Sequence, residues 1–442
     1  MNFYKYFYRP FLSLPVFFVG EKYHKMSVLK YLEEIDKMSK WAPSEVTSWQ
    51  EEKLRALVHK AYFRTRFHNE RFRKNKIHPA DIYSMKDLEK IPIMRKDEVK
   101  KYLDFNYNVD NRVDYYFNAT GGSTGIPLQF FVSYEAESII QAIDLFFKQT
   151  FGYQYGAPTL VLGASSLKSK KQKNFFQFLN SRIKGMIPVD VMGINDERMR
   201  EIIEIISREN IKFIYGYASA IFLVAKFCLE HNISIKIEAC FPTSELLTEY
   251  YRKTIIEAFN CRILNGYGAR DGGVLAYETS PDEFRVGYNS FIEIEVGGKG
   301  SRAGAILCTD LFNDVFPFLR YSLGDEIDGL DENKTEYNGQ IFRNVIGRSS
   351  DLIRLKNGNV LTGPGFTVLF QNINVEAYQI EQISDDHLNC KIVRGKNYTL
   401  ENENKIRKVF AEKVGKESNV DFTYVESIEQ TSAGKTKYFI VR

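Results

Sequence analysis

The sequence predicts an α/β protein in which a large N-terminal domain, made of layered α/β subdomains and a small β subdomain, precedes a small α+β C-terminal domain. The chain has 442 residues, more than a single hydrophobic core usually organises, so two or more domains are expected. Apolar strands alternate with helical segments between residues 159 and 264, and short strands with turns follow from about residue 284. Residues 352–442 have the pattern of a small α+β domain.

The helices and strands are predicted from the spacing of apolar residues. Pro43 to His68 is predicted to form one helix, with Ser44 as its cap. Residues 135–150 show the same spacing. The alternating section is expected to contain strands at 159–163, 212–217, 236–241 and 262–264, with helices at 198–208, 218–230 and 246–259. Strands that alternate with helices form parallel sheets with helices on both faces.

Shorter elements complete the chain. Residues 290–296 and 305–309 are predicted as strands of the small β subdomain, and a helix is expected near residues 403–413. In parallel sheets, ligands bind beyond the carboxyl ends of the strands. The segment from Tyr267 to Asp271 follows a predicted strand and is therefore expected to lie at such an edge.

Composition excludes several classes of protein. The apolar fraction of 44% and the charged fraction of 26% are ordinary for a globular protein. A net charge of +4, without a basic-aromatic array, argues against nucleic-acid binding. The five cysteines are far apart and form no CxxC pair, which predicts reduced thiols in a cytoplasmic protein rather than disulfides or a zinc site. The six histidines show no metal-ligand spacing.

Residues 2–19 are rich in Phe and Tyr and are interrupted by Lys5, Arg9, Pro10 and Pro15. The segment is too short and broken to span a membrane, and it lacks the pattern of a signal peptide. It could attach to a lipid interface, where aromatic and cationic side chains are favoured. It could instead be a strap packed on the large domain. We favour the strap, because an exposed aromatic patch of this size promotes aggregation.

A glycine-rich segment lies between two predicted strands, Tyr115 to Phe117 and Leu128 to Val132, and is therefore expected at a hairpin tip. Successive backbone N–H groups in such a loop form a concavity that binds anions, and hydroxyl groups add donors. The Gly-Lys-Ser/Thr ending of a Walker loop is absent. An ordinary turn has the same composition. The candidate phosphate-binding residues are Thr120, Gly121, Gly122, Ser123, Thr124 and Gly125.

Four further motifs follow in order: Asn265 to Asp271, Arg320 to Asp325, Ile346 to Asp351, and Thr431 to Lys435. Together with the glycine-rich loop, this ordered set resembles the adenylate-forming superfamily of acyl-CoA synthetases. The segment from Trp41 to Lys96 is similar to the N-terminal pattern of one branch, the phenylacetate-CoA ligase-like CapK family of polysaccharide gene clusters. The resemblance implies an adenylation domain at residues 1–350 and a mobile C-terminal domain at 351–442 that carries a catalytic lysine.

The resemblance assigns residues to the nucleotide. Asp325 is implied to bind the ribose, because one carboxylate can accept two hydrogen bonds from vicinal hydroxyls. Tyr267, followed by Gly268, is implied to stack on adenine. Arg348 is implied near the ribose and phosphates. Glu245 resembles a residue that lines the nucleotide pocket, although it could equally favour a helix N-terminus.

Two residues depart from the family pattern. Asp271 stands where the family usually has Glu; the acid is implied to contact Mg²⁺ and the phosphates, and Asp is one methylene shorter. Arg270 stands where many members have Thr or Ser. Its guanidinium could bind a phosphate or a substrate carboxylate, or it could simply pair with Asp271.

Lys435 and Asp351 are assigned to catalysis and to domain movement. Lys435 lies on a Ser-Ala-Gly-Lys turn, and its ammonium would stabilise charge at the α-phosphate and the carboxylate. Lys437 is a nearby alternative, and both lysines could instead belong to a solvated basic tail. Asp351 matches the hinge about which the C-terminal domain rotates.

The expected function is AMP-forming ligation of a carboxylic acid to coenzyme A, with ATP and Mg²⁺, in a surface polysaccharide pathway. Transfer to an amine on a sugar is an alternative acceptor reaction, and a nucleotide-binding scaffold is an alternative of another class. The expected location is the cytoplasm, with contact at the inner membrane face left open. The sequence does not identify the acid or the oligomeric state.

Overall fold

The structure is a computed structural model, and the following sections concern the residues that it describes. These are residues 6–101, 113–119, 128–163, 184–190, 196–296, 303–331, 338–348, 352–355, 360–362, 373, 375–384, 386–395, 398–414, 419–428 and 439–441.

Helices dominate the N-terminal quarter and recur between the strands of the middle section. In chain order the α-helices are α1 (Pro10–His24), α2 (Val28–Met38), α3 (Pro43–Arg64), α4 (Arg66–Lys74), α5 (Lys96–Lys101), α6 (Tyr134–Thr150), α7 (Asp196–Arg208), α8 (Ala218–Glu230), α9 (Glu249–Phe259) and α10 (Leu400–Val414). Within the described part of the chain, the helices are either too short or too polar to cross a membrane.

The strands of the described residues form five sheets. In chain order they are β1 (Tyr115–Ala119), β2 (Gln129–Ser133), β3 (Thr159–Gly163), β4 (Met186–Asp190), β5 (Phe213–Tyr217), β6 (Ala239–Thr243), β7 (Arg262–Ile263), β8 (Asn265–Ala269), β9 (Val274–Ser280), β10 (Glu283–Val286), β11 (Ser290–Val296), β12 (Ala303–Asp310), β13 (Tyr321–Asp328), β14 (Leu330–Asp331), β15 (Ile341–Arg343), β16 (Val345–Arg348), β17 (Leu352–Arg354), β18 (Val360–Thr362), β19 (Val375–Ser384), β20 (His387–Arg394), β21 (Asn419–Tyr424) and β22 (Phe439–Val441).

The largest sheet is parallel in one half and antiparallel in the other. Its order is β14-β15-β10-β9-β8-β6-β5-β3-β4, with β7 beside β6. The strands from β4 to β8 pair in parallel, whereas β8, β9, β10, β15 and β14 pair antiparallel. Successive side chains on its strands point to opposite faces. Ile214 accordingly belongs to the core under α7–α9, and Phe213 to the core shared with α6 and the N-terminal helices.

A second, antiparallel sheet has the order β11-β12-β13-β16. Its register places Asp325 of β13 opposite Arg348 of β16. The short hairpin β1–β2 pairs Ala119 with Gln129, so that residues 120–127, which lie outside the described residues, connect its strands.

The C-terminal segment packs a core of its own. Strands β21-β20-β19-β22 form a mixed sheet, and α10 contributes buried residues against it. The apolar cluster of this segment runs from Ile353 to Val414 and contains no residue of the other two cores. The predicted α/β class, with a large N-terminal part and a small α+β C-terminal domain, is confirmed.

Some predicted elements need correction. The helix predicted from Pro43 to His68 is two helices, because Thr65 adopts extended backbone angles between α3 and α4. Ser44 does not cap α3, which begins at Pro43; the Glu45 carboxylate accepts the N–H of Ala42 instead. The section after residue 284 is not one separate β subdomain, since β14 and β15 join the large sheet.

Candidate functional site

The predicted nucleotide-binding residues follow the carboxyl ends of two neighbouring strands of the large sheet. Thr243 ends β6 and pairs in register with Gly266 of β8. Glu245 follows β6, while Arg270 and Asp271 follow β8. Because parallel strands end at the same edge of a sheet, these groups are gathered at the position where open α/β sheets bind ligands.

Tyr267 and Asp325 are joined directly. The Tyr267 hydroxyl donates a hydrogen bond of 2.7 Å to the Asp325 carboxylate, across 58 residues of sequence. Burial and the neighbouring Asp325 carboxylate raise the pKa of Tyr267 well above its usual range. The phenol is therefore a permanent donor that orients the carboxylate. The Tyr267 ring also packs edge-on against Phe342, with 5.6 Å between the ring centroids.

Strand pairing places the backbone of Arg348 beside that of Asp325. Gly324 adopts a φ of 77°, a left-handed conformation that favours glycine, immediately before Asp325. Asp325 is the register partner of Arg348 in the antiparallel pair β13–β16. The two residues that the motifs assigned to ribose and phosphate are thus neighbours across a strand pair.

Asp271 lies on a tight turn between β8 and β9. Its carboxylate accepts a hydrogen bond of 3.0 Å from the hydroxyl of Tyr321, a fully buried residue of β13. Gly272 and Gly273 follow with φ values of 97° and 70°. A Cβ on Gly272 would overlap the thiol of Cys308, and a Cβ on Gly273 would overlap the carboxylate of Asp310. The turn therefore requires glycine at both positions, and it fixes Asp271 against the second sheet.

The Asp310 carboxylate packs against Gly273 of this turn. It accepts the N–H groups of Phe312 and Asn313 at 3.0 and 3.3 Å. Burial raises the pKa of Asp310 to about 7, with the two backbone hydrogen bonds opposing the increase. Asn289 completes the contact by donating 2.7 Å to the carbonyl of Gly273.

Arg270 binds two residues from other elements. One guanidinium nitrogen lies 3.1 Å from the carboxylate of Glu137 on α6, and another donates 3.2 Å to the hydroxyl of Tyr116 on β1. Tyr116 in turn donates 2.6 Å to Glu137. The Arg270 side chain is 52% exposed, and Glu137 is 13% exposed. The partners described for Arg270 are Glu137 and Tyr116, and they do not include Asp271. The simple Arg270–Asp271 pair that the sequence suggested is therefore not formed.

The Glu245 carboxylate accepts the backbone N–H of Ser219 at 2.9 Å. Ser219 lies in the first turn of α8, where backbone N–H groups have no partner within the helix. The alternative considered from sequence, a carboxylate at a helix N-terminus, thus describes this contact. The helix is α8 and not the one that follows Glu245 in the chain.

Several predicted residues lie outside the described residues: Thr120, Gly121, Gly122, Ser123, Thr124, Gly125, Asp351, Lys435 and the alternative Lys437. Their roles remain predictions. In the part of the chain that is described, no three His, Cys, Asp or Glu side chains come together as a metal-binding group. Asp271 is the described carboxylate that the motifs assign to a metal.

Sequence reasoning missed the residues that hold this site together. Tyr116, Glu137 and Tyr321 were assigned no role, although Tyr321 lies inside the motif from Arg320 to Asp325. The unusual Arg270 was a partial signal, because an arginine within a motif suggests an acidic partner, but nothing in the sequence points to Glu137 as that partner. The Gly272-Gly273 pair after Asp271 likewise indicates a tight turn.

Comparison with known proteins shows similarity to CapK along the chain. Residues 353–442 match the family described as the CapK C-terminal domain. The chain is 22% identical to Protein CapK of Staphylococcus aureus in an alignment 444 positions long. The alignment covers 97% of this chain and 96% of that protein.

Solved structures show similarity in fold to CoA ligases. A 2-hydroxyisobutyryl-CoA ligase in the postadenylation state has a TM-score of 0.70 at 14% identity, with 91% of each chain covered. The same ligase with 2-HIB-AMP and CoA in the thioesterification state gives 0.58 at 15% identity and the same coverage. The O-succinylbenzoate coenzyme A synthetase of Bacillus subtilis, in complex with AMP, gives 0.51 at 14% identity, covering 73% of this chain and 67% of its own.

The resemblance predicted from the ordered motifs is confirmed by these matches. The chain is similar to CapK along nearly its whole length, carries the CapK C-terminal domain at residues 353–442 and has the fold of the adenylate-forming CoA ligases.

Proposed function

We propose that the protein activates a carboxylic acid with ATP to form an acyl-adenylate and then transfers the acyl group to coenzyme A. The observation that carries this proposal is the bonded pair of Tyr267 and Asp325 beside Arg348, at the carboxyl edge of the sheet. An oriented carboxylate suits the two hydroxyls of a ribose. The ligases with the same fold were solved with acyl-adenylates, AMP and CoA.

In the first step the acid carboxylate attacks the α-phosphorus, and pyrophosphate leaves. The loop from Thr120 to Gly125 would bind the phosphates through its N–H and hydroxyl groups. Lys435 would stabilise the negative charge that develops at the α-phosphate. Arg270 would bind a phosphate or a carboxylate with donors that Glu137 and Tyr116 leave available, because a guanidinium carries five N–H groups.

The chemistry of the site fits Mg²⁺, although one acidic residue is a small ligand set. Asp271 offers hard carboxylate oxygens on a turn held by Tyr321. When bound, the ion would neutralise phosphate charge during the displacement. Tyr321 and the two glycines of the turn would keep Asp271 in place for this contact.

In the second step the C-terminal domain would rotate about Asp351, withdraw Lys435 and open a path for coenzyme A. Two observations support this proposal. The C-terminal segment has a core separate from the rest of the chain. The chain is also more similar to the postadenylation state of the 2-hydroxyisobutyryl-CoA ligase than to its thioesterification state, with TM-scores of 0.70 and 0.58.

A setting in surface polysaccharide biosynthesis follows from the resemblance to the CapK family, and the likeness to Protein CapK supports that resemblance. A cytoplasmic location remains the expectation from the sequence. An amine on a sugar is the second candidate acceptor, and it rests on the same likeness. A nucleotide-binding scaffold is less well supported, because Lys435, which is assigned to charge stabilisation during the reaction, would be dispensable in a protein that only binds the nucleotide.

The test is release of pyrophosphate and AMP from MgATP with a panel of aryl, fatty, hydroxy and amino acids, each with and without coenzyme A. Acid-dependent AMP formation that increases with coenzyme A is the expected result. Acid-dependent pyrophosphate release at the same rate with and without coenzyme A would support the amine acceptor. ATP binding without turnover for any acid would contradict the ligase and support the scaffold.

A further inference from the structure

Helix α1 is fixed to the large domain by its inner face. Phe7, just before the helix, and Phe17 pack against Tyr155 with centroid distances of 5.6 and 4.7 Å. The backbones of Tyr6 and Tyr8 bond that of Tyr155 at 2.9 Å each. Glu21 accepts the N–H of Leu29 at 3.0 Å. The strap that we favoured from sequence therefore describes this inner face.

The outer face of the same helix is apolar and exposed. Phe11, Phe18, Val19 and Tyr23 are 87%, 45%, 69% and 81% exposed, and they account for four of the twelve exposed large hydrophobic side chains in the described residues. With the exposed Pro15 they recur every three or four residues, which is one stripe of a helix. Packing on the domain explains the inner face, whereas this stripe is exposed.

The charges around the stripe are nearly all positive. Arg9 precedes the helix, and Lys22 lies in its last turn, both of them exposed. Glu21 is the helix's one acidic residue, and it bonds inward to Leu29. Lys25, just beyond the helix, is balanced by an ion pair of 2.8 Å with Asp114. An apolar stripe with cations at both ends is complementary to a surface that is apolar inside and anionic outside.

We infer that α1 is a docking surface for an anionic lipid membrane, with the helix axis lying in the plane of the interface. Phe and Tyr side chains are favoured at that depth, and Lys and Arg side chains reach the phosphate groups. Because the inner face is fixed to the domain, the helix needs no folding step on binding. This inference does not depend on the proposed ligase reaction.

The membrane would lie near the hairpin of β1 and β2. The Lys25–Asp114 ion pair joins the end of α1 to the residue immediately before β1. A protein bound through α1 would hold these two strands close to the lipid surface.

The experiment is co-sedimentation of the full-length protein with vesicles of phosphatidylglycerol and phosphatidylcholine in equal parts, and with vesicles of phosphatidylcholine alone. The test variant combines Phe11→Ser, Phe18→Ser and Tyr23→Ser. The matched control combines Phe63→Ser and Tyr83→Ser, which remove aromatic side chains that are 59% and 68% exposed elsewhere on the surface. Lys22→Glu tests the charge separately.

We expect binding to the anionic vesicles, reduced at least about tenfold by the test variant and unchanged by the control. Lys22→Glu should weaken binding to the anionic vesicles without affecting the melting temperature. Failure of the full-length protein to bind anionic vesicles would overturn the inference, as would equal losses in test and control. If the stripe instead joins two copies of the protein, the test variant would have a changed sedimentation coefficient and would still bind vesicles. That result would also overturn the inference.

Discussion

At the residue scale, the pair of Tyr267 and Asp325 could be predicted only in part. The motif positions identified both residues as nucleotide contacts. The hydrogen bond between them joins residues 58 positions apart, and no local pattern reveals it. The same holds for Arg270 and Tyr116, which are 154 positions apart. Sequence motifs thus singled out residues that lie together in the structure, whereas the hydrogen bonds that hold them in place depend on the tertiary fold.

Removing the Tyr267 hydroxyl should weaken ATP binding. In Tyr267→Phe the Asp325 carboxylate loses the donor that orients it, and one such bond contributes about 1 kcal/mol. We expect the KM for ATP to rise about three- to tenfold, with a smaller change in kcat. Steady-state kinetics of acid-dependent pyrophosphate release measure both constants.

The control for that variant is Tyr288→Phe, which removes a buried tyrosine hydrogen bond of 2.6 Å to Asn338. It should lower stability without changing the KM for ATP. An unchanged KM in Tyr267→Phe, or an equal change in Tyr288→Phe, would show that the hydroxyl does not position the ribose ligand.

Arg270→Lys should lower kcat/KM about tenfold or more, although the charge is kept. A single ammonium cannot bond Glu137 and Tyr116 in the fork geometry of a guanidinium and still reach a ligand. The matched control is Arg343→Lys, because Arg343 is 53% exposed and lies 3.9 Å from Asp331 at the edge of the large sheet. Equal activity in both variants would exclude Arg270 from the site.

At the scale of elements, strands and helices with strong periodicity were predicted within a few residues. α8 has the predicted limits, and β5 differs by one residue. The assignment of β14 and β15 to the large sheet was not predictable, because both are short and pair with strands far along the chain. Periodicity shows which face of a strand is buried but not which strand lies beside it.

The turn after β8 should be intolerant of a side chain. Gly273→Ala must adopt a φ near 70° and place its Cβ against the Asp310 carboxylate. We expect a loss of stability at least about 2 kcal/mol larger than in Gly329→Ala. Gly329 is the matched control, since its φ is 88° but its Cβ would meet nothing within 4 Å. Thermal unfolding of both variants measures the difference, and equal shifts would contradict the tight contact.

Asp310 should make stability depend on pH. Its pKa is raised by burial to about 7, whereas an unfolded aspartate titrates near pH 4. Below about pH 4 the carboxyl is protonated in both states, and its contribution is fully present. As the pH rises from about 4 to about 7, the unfolded chain loses the proton more readily, and the folded state loses stability.

The free energy of unfolding should therefore fall, relative to Asp310→Asn, by up to about 4 kcal/mol across that range. Urea unfolding of both proteins at a series of pH values measures the difference. Asp328→Asn, at an exposed position of β13, is the control. Curves for the wild type and Asp310→Asn that stay parallel from pH 4 to 7 would show that Asp310 is ionised in the folded protein.

At the scale of the whole molecule, the protein has two separately packed parts. In the large part, Tyr267 and Asp271 of the large sheet meet Asp325 and Tyr321 of the second sheet, and the C-terminal part is predicted to supply Lys435. One site could then serve two reactions if the C-terminal domain alternates between two positions. Motions of this kind frequently limit turnover. The sequence indicated the two parts because residues 352–442 have the pattern of a small α+β domain.

The most direct test of adenylate formation is acid-dependent exchange of labelled pyrophosphate into ATP, measured without any acceptor for the wild type, Lys435→Ala and Lys437→Ala. Exchange requires reversible formation of the acyl-adenylate and is independent of whether a thiol or an amine follows. We predict exchange by the wild type with at least one acid of the panel, retained by Lys437→Ala and reduced by two or more orders of magnitude in Lys435→Ala. Full exchange in Lys435→Ala would contradict the catalytic role of Lys435. No exchange by the wild type with any acid would contradict adenylate formation by this protein.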